Sequence, residues 1–106
     1  MTRQMTERKL YVTMPDGSEW AVKVTDIVAN RAAYYHVHHK DEFPTLAAAM
    51  LETEELFKDD YEVADWAASN MNWGDVADRA EFVSPPPQLS SEGFQEGWVN
   101  GDKRVI

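Results

Sequence analysis

Two short runs of alternating hydrophobicity, separated by one turn, constrain this chain more than any other feature. Leu10, Val12 and Met14 alternate with Tyr11 and Thr13, and Trp20, Val22 and Val24 alternate with Ala21 and Lys23. That period of two is the pattern of strands buried on one face. Between the runs lies Pro15-Asp16-Gly17-Ser18, in which proline pre-sets a turn dihedral, Asp bonds locally and Gly accepts a positive φ. A β-hairpin near the N-terminus follows, and the rest of the chain must cover one face of it.

The covering material reads as helical. Thr25 and Asp26 are N-cap types, and Ile27, Val28, Arg31, Ala32, Tyr34, Tyr35, His38 and His39 recur at three and four, predicting a helix from about Asp26 to about His39. Pro44 stands at a second helix start. Leu46, Ala49, Met50, Thr53 and Phe57 mark its buried face, Glu52, Glu54, Glu55 and Lys58 the other, and its end falls near Lys58. Asp59 or Asp60 caps a third helix, carrying Val63, Trp66, Ala67 and Asn70 and stopping at residues 70–72. If Asp59 is the cap, Glu62 stands where a capping-box carboxylate belongs. Trp73 to Val76 reads as a turn or short helix and Ala80 to Val83 as a strand returning to the hairpin.

The expected fold is therefore α+β, in the order β-β-α-α-α-β, with a small antiparallel sheet packed against helices. Its 106 residues suffice for one domain. Pro85, Pro86 and Pro87 donate no ladder hydrogen bonds, so the domain is drawn over residues 9–84. Residues 1–8, without hydrophobic periodicity, are expected to be a flexible N-terminus. Residues 85–106 are expected to form a proline-led arm, mobile or loosely docked, with only Leu89, Phe94, Trp98, Val99, Val105 and Ile106 to bury. A small hairpin about Asn100-Gly101 is one alternative within that arm. Trp20, Tyr34, Tyr35, Phe57, Tyr61 and Trp66 are assigned mainly to the core. Trp73 is either a plug between helix and strand or an interface anchor, with packing favouring the plug.

Charge is concentrated. The formal net charge is −9, and residues 41–82 hold twelve Asp and Glu against Lys58 and Arg79, a net −10 for that stretch. Such a field repels nucleic-acid backbones and anionic membranes and attracts basic protein surfaces, although a solvated acidic face also serves solubility alone. The absence of cysteine excludes a disulfide scaffold, a thiolate metal site and a thiol nucleophile, and with no apolar leader or spanning segment the expected location is cytoplasmic.

Motifs of chemistry are sparse. His36, His38 and His39, followed by Asp41 and Glu42, form the one metal-like cluster. On the expected helix, however, His36 and His38 lie about 200° apart, and histidines near a helix C-terminus are explained by its dipole. No phosphate loop, nucleophile elbow or catalytic triad context is present, and the abundance of carboxylates makes any acid pair nonspecific. The reading is of a protein without enzymatic activity, cofactor or resident metal.

Residues 59–76, DDYEVADWAASNMNWGDV, resemble a group of small acidic proteins encoded by bacteriophages and prophages, which share an acidic aromatic helix followed by an Asn-Met-Asn-Trp-x-Asp-Val turn. The resemblance implies an accessory protein made inside a bacterial host cell, but carries no activity. On this reading, a face bearing Glu52, Glu54, Glu55, Asp59, Asp60, Glu62 and Asp65, with Trp73 beside it, binds a basic host or phage protein, as a nucleic-acid mimic or inhibitor. The alternatives are a metal-dependent module or enzyme using the three histidines, and a structural virion component attached through the C-terminal arm.

Overall fold

The computed structural model describes residues 8–15, 17–84 and 91–106. Expectations for residues 1–7, for Asp16 and for the polyproline run at 85–87 lie outside the described residues. Elements follow in the order β1 (Lys9–Thr13), β2 (Glu19–Lys23), α1 (Val24–His38), α2 (Leu46–Leu56), α3 (Asp60–Asn70), a 3-10 turn at Trp73–Asp75, β3 (Glu81–Ser84), α4 (Ser91–Asn100) and β4 (Lys103–Val105). The expected β-β-α-α-α-β order is present and is extended by α4 and β4. The four strands form one antiparallel sheet in the order β3-β2-β1-β4. No helix among the described residues is long and apolar enough to cross a membrane.

The hairpin closes as its sequence dictates. Met14 N–H donates to Ser18 O at 2.8 Å, Gly17 N–H donates to Met14 O at 2.9 Å, and Gly17 has φ +87°, a conformation that costs glycine least. Register pairs Leu10 with Val22 and Val12 with Trp20, which stacks the alternating apolar set on one face. The other face carries charge and one aromatic ring: Arg104 lies 4.9 Å over the Tyr11 ring and bonds Glu19, while Lys9 reaches Glu81 at 2.9 Å.

Helix starts differ in how they are capped. α1 begins directly off β2 at Val24, with Lys23 in the N-cap position and no side-chain cap; Thr25 and Asp26, expected as caps, lie inside the first turn, where Asp26 still suits the positive helix end. Tertiary pairing decides this start, because Val24 N–H donates to Arg8 O at 3.1 Å. In α2, Thr45 Oγ1 accepts from Ala48 N–H at 3.1 Å, and in α3, Asp59 Oδ1 accepts from Tyr61 N–H at 2.9 Å. The capping box expected of Asp59 and Glu62 is found one element later: Asp59 N–H donates to Leu56 O, and it is Asp75 that returns a carboxylate oxygen to Asn72 N–H at 2.8 Å.

Two expectations about the chain's ends are corrected. Arg8, assigned to the flexible N-terminus, donates to Phe57 O at 2.6 Å and pairs with Asp60, so it belongs to the domain. Residues 91–106, expected as a loose arm, complete the core and the sheet. β4 pairs with β1 through Leu10↔Val105, Tyr11↔Arg104 and Val12↔Lys103. Trp98 is fully buried, and its indole Nε1 donates to Ala67 O at 2.9 Å and Met71 O at 3.2 Å, satisfying carbonyls that the end of α3 leaves open. The alternative of a small hairpin about Asn100-Gly101 gives way to the end of α4, whose approach to β1 needs glycine: a Cβ on Gly101 would lie 2.1 Å from Thr13 O.

The core joins Leu10, Val12, Val22, Val24, Ile27, Val28, Phe57, Val63, Ala67, Met71, Trp73 and Trp98, so every helix contributes to it directly or through a neighbour. Trp73 is the plug. It stacks on Phe94 at 5.2 Å, meets Trp20 edge-on at 5.5 Å and donates its backbone N–H to Gln95 Oε1 at 2.7 Å.

Candidate protein-binding surface

The seven carboxylates between Glu52 and Asp65 do not form one uniform face. Glu52 turns toward α1, where Arg31, itself buried, bonds it, donates to Thr53 Oγ1 at 2.8 Å and lies 4.4 Å over the Tyr35 ring. It ties α2 to α1. Asp59 is occupied as the cap of α3, and Asp60 pairs with Arg8. Glu55 pairs with Lys58 at 2.9 Å on the open surface, where the pair contributes at most a few tenths of a kcal/mol.

Glu54, Glu62 and Asp65 carry no ion pair with another described residue. Helical spacing explains their orientation. α2 buries Ala49 and Thr53, and α3 buries Val63 and Ala67. At about 100° per residue, Glu54 and Glu55 on α2 and Asp65 on α3 therefore point away from the core.

Two apolar side chains stand among these acids, and sequence reasoning placed neither there. Leu51 is 70% exposed and Tyr61 69% exposed, the highest values among the described large hydrophobic residues. Tyr61, assigned to the core, sits out of phase with Val63, Trp66, Ala67 and Asn70; Leu51 is out of phase with Ala49, Met50 and Thr53. That phase was the available signal. Leu51 precedes Glu55 by one turn, and Tyr61 precedes Asp65 by one turn, so each apolar side chain has a carboxylate as its helical neighbour. Tyr34, likewise assigned to the core, is 45% exposed.

Trp73, placed beside the acidic face as a binding residue, is 9% exposed within the aromatic plug and is withdrawn from the surface. The three histidines are engaged with neighbouring rings and a carbonyl. His36 Nδ1 is 3.1 Å from Phe43 O, His38 packs on the Tyr34 ring at 4.5 Å, and His39 stacks on Tyr35 at 5.0 Å. Among the described residues no three His, Asp or Glu side chains are grouped to hold a metal ion.

What remains on α2 and on α3 is, for each helix, an exposed apolar side chain with carboxylates in no ion pair among the described residues, Glu54 and Glu62 half-buried and Asp65 exposed, an arrangement suited to reversible ionic contact with apolar anchoring. Compared with protein-family models, with curated proteins and with solved structures, the chain matches none.

Proposed function

We propose that the protein is a binding module whose α2–α3 surface docks a basic protein. The carrying observation is that, each on its own helix, Leu51 and Tyr61, 70% and 69% exposed, have carboxylates one turn on: Glu54 and Glu55 after Leu51 on α2, and Asp65 after Tyr61 on α3. A large apolar side chain gains roughly 1.5–3 kcal/mol on full burial, so leucine and tyrosine supply affinity at the centre of a contact while the carboxylates steer a cationic partner to it. The resemblance of residues 59–76 to phage-encoded acidic proteins supplies the context, a host or phage protein in a bacterial cell, whose nucleic-acid site the acidic surface occupies as a mimic or inhibitor. Its action is binding and not chemistry.

The test is capture of a partner from host lysate with the full chain, followed by variants. Reversing Glu54, Glu62 and Asp65 to Lys spares the Asp59 cap and the Asp60–Arg8 pair, so the fold should persist while capture is lost and residual binding loses its salt dependence. Tyr61→Ala and Leu51→Ser should weaken capture without changing its salt slope. A triple variant that retains wild-type affinity overturns the reading.

A further inference from the structure

We propose that Asn100-Gly101 is a self-modification site, at which the chain deamidates when its C-terminal segment opens, and that the product opposes reclosure. Of the four asparagines, Asn100 alone is followed by glycine. A glycine nitrogen, with no Cβ beside it, is the least hindered backbone nucleophile toward the preceding side-chain amide. The fold itself demands that glycine, since a Cβ on residue 101 would collide with Thr13 O and Gly97 O. The reactive pair is therefore built into the junction of α4 and β4.

The closed segment restrains both reacting groups. Gly101 N–H donates to Gly97 O at 2.7 Å, so the nitrogen that must lose its proton is held in a helical hydrogen bond. Asn100 Nδ2 donates to Glu96 Oε1 at 2.9 Å, which ties the side-chain amide to the preceding turn. α4 has only 10 residues, a length that is marginal for an isolated helix, so both bonds are lost once Trp98 and β4 leave their places.

In the open segment the Gly101 nitrogen attacks Asn100 Cγ. The Cγ–Nδ2 bond breaks, the amide proton ends on the departing ammonia, and a cyclic imide is left. Water then opens the imide: attack at Cγ gives aspartate, and attack at the backbone carbonyl carbon gives isoaspartate, whose main chain runs through Cγ and is one carbon longer. Water is the sole co-reactant, and it has access, because Asn100 is exposed and borders an open cleft of about 300 Å3 with Thr13, Pro15, Glu96 and Asp102.

Both products work against reclosure. The new carboxylate replaces a donor to Glu96 with a like charge one turn on, at the helix end where the dipole disfavours anions. Lys103, the cation at this end, already gives its ammonium to Val99 O and Gly101 O. In isoaspartate the added carbon falls just before Asp102, whose carbonyl accepts from Thr13 N–H at 3.0 Å, and before the Val12↔Lys103 pair, so β4 no longer meets β1 in register.

Mass spectrometry of the peptide containing Asn100 reads the conversion of amide to acid, and hydrogen exchange at the Gly101 amide reads the opening. At mildly alkaline pH the full chain should deamidate at Asn100 at least about tenfold more slowly than the same chain in denaturant, because attack waits on a rare opening. Trp98→Ala should deamidate faster than wild type, up to the rate of the denatured chain if it fails to fold, and Gly101 exchange should rise with it. Asn100→Gln, which would have to close a larger ring, should stay unmodified. Asn100→Asp, made directly, should speed Gly101 exchange by at least about threefold at low salt, with part of the change reversed at high salt. A native chain that deamidates as fast as the denatured one overturns the proposal. So does a Trp98→Ala chain no faster than wild type, or an Asn100→Asp chain with wild-type exchange at Gly101.

Discussion

The N-terminal hairpin and the C-terminal segment end side by side in one sheet, yet they specify their structure in different ways. In β1 and β2 the period-two pattern, the turn residues and the final register agree, and pairing needs nothing beyond fifteen consecutive residues from Lys9 to Lys23. In α4 and β4 the same outcome depends on distant groups: Trp98 finds the carbonyls of Ala67 and Met71, and Lys103–Val105 finds β1. A polar composition and one buried tryptophan thus read as a tail locally and as a keystone in three dimensions, because docking against a preformed surface adds apolar burial that no local window contains.

That contrast can be broken in order of severity. Truncation after Ser84 removes α4, β4 and Trp98 and should abolish cooperative thermal unfolding; a retained transition would restore the boundary at residue 84. Trp98→Ala should cost about 3–5 kcal/mol in denaturant midpoint analysis, since it opens a cavity and frees two buried carbonyls. Gly101→Ala should cost about 1–3 kcal/mol, because its Cβ would meet Thr13 O at 2.1 Å, whereas Gly74→Ala, with nothing within 4 Å, should stay within about 0.5 kcal/mol. In the hairpin, Gly17→Val has free space but the wrong dihedral and should cost about 1 kcal/mol or more.

The smallest effect is electrostatic. Lys9, through its hydrogen bond to Glu81, holds that carboxyl below its ordinary value, and Glu81 in turn raises the Lys9 ammonium above its own. The Glu81 contribution is therefore present above the ordinary glutamate range and lost as pH falls through the lowered value. The Lys9 contribution is present below the ordinary lysine range and lost as pH rises through the raised one. Glu81→Gln should flatten only a slight acid-side slope in stability, since the pair lies at the surface where solvent screens it.

Most element positions were legible in the sequence, where capping side chains and periodicity act over one or two turns; Asp59 and Gly17 are examples. What escaped was set by partners far along the chain. The start of α1 moved to Val24 because Arg8 pairs there, and Arg8 itself is held by Phe57 and Asp60. At the candidate surface the acids were visible as a run, but which of them the fold consumes was not. Glu52, Asp59 and Asp60 turned out to serve Arg31, a helix start and Arg8 respectively, while Tyr61 was assigned inward on residue type alone although its helical phase pointed outward.

The pairing of β4 with β1 has a consequence for synthesis. Tyr11 and Arg104, opposite one another in the sheet, are separated by 93 positions. A chain emerging from the ribosome must hold β1 with one edge open until β4 has been made. Contacts of such separation slow folding by delaying closure of the largest loop. The nascent hairpin is therefore an incomplete template for the whole interval between the making of β1 and of β4, and a variant that weakens β4 should reveal itself first as aggregation during expression and only later as lost stability of the purified protein.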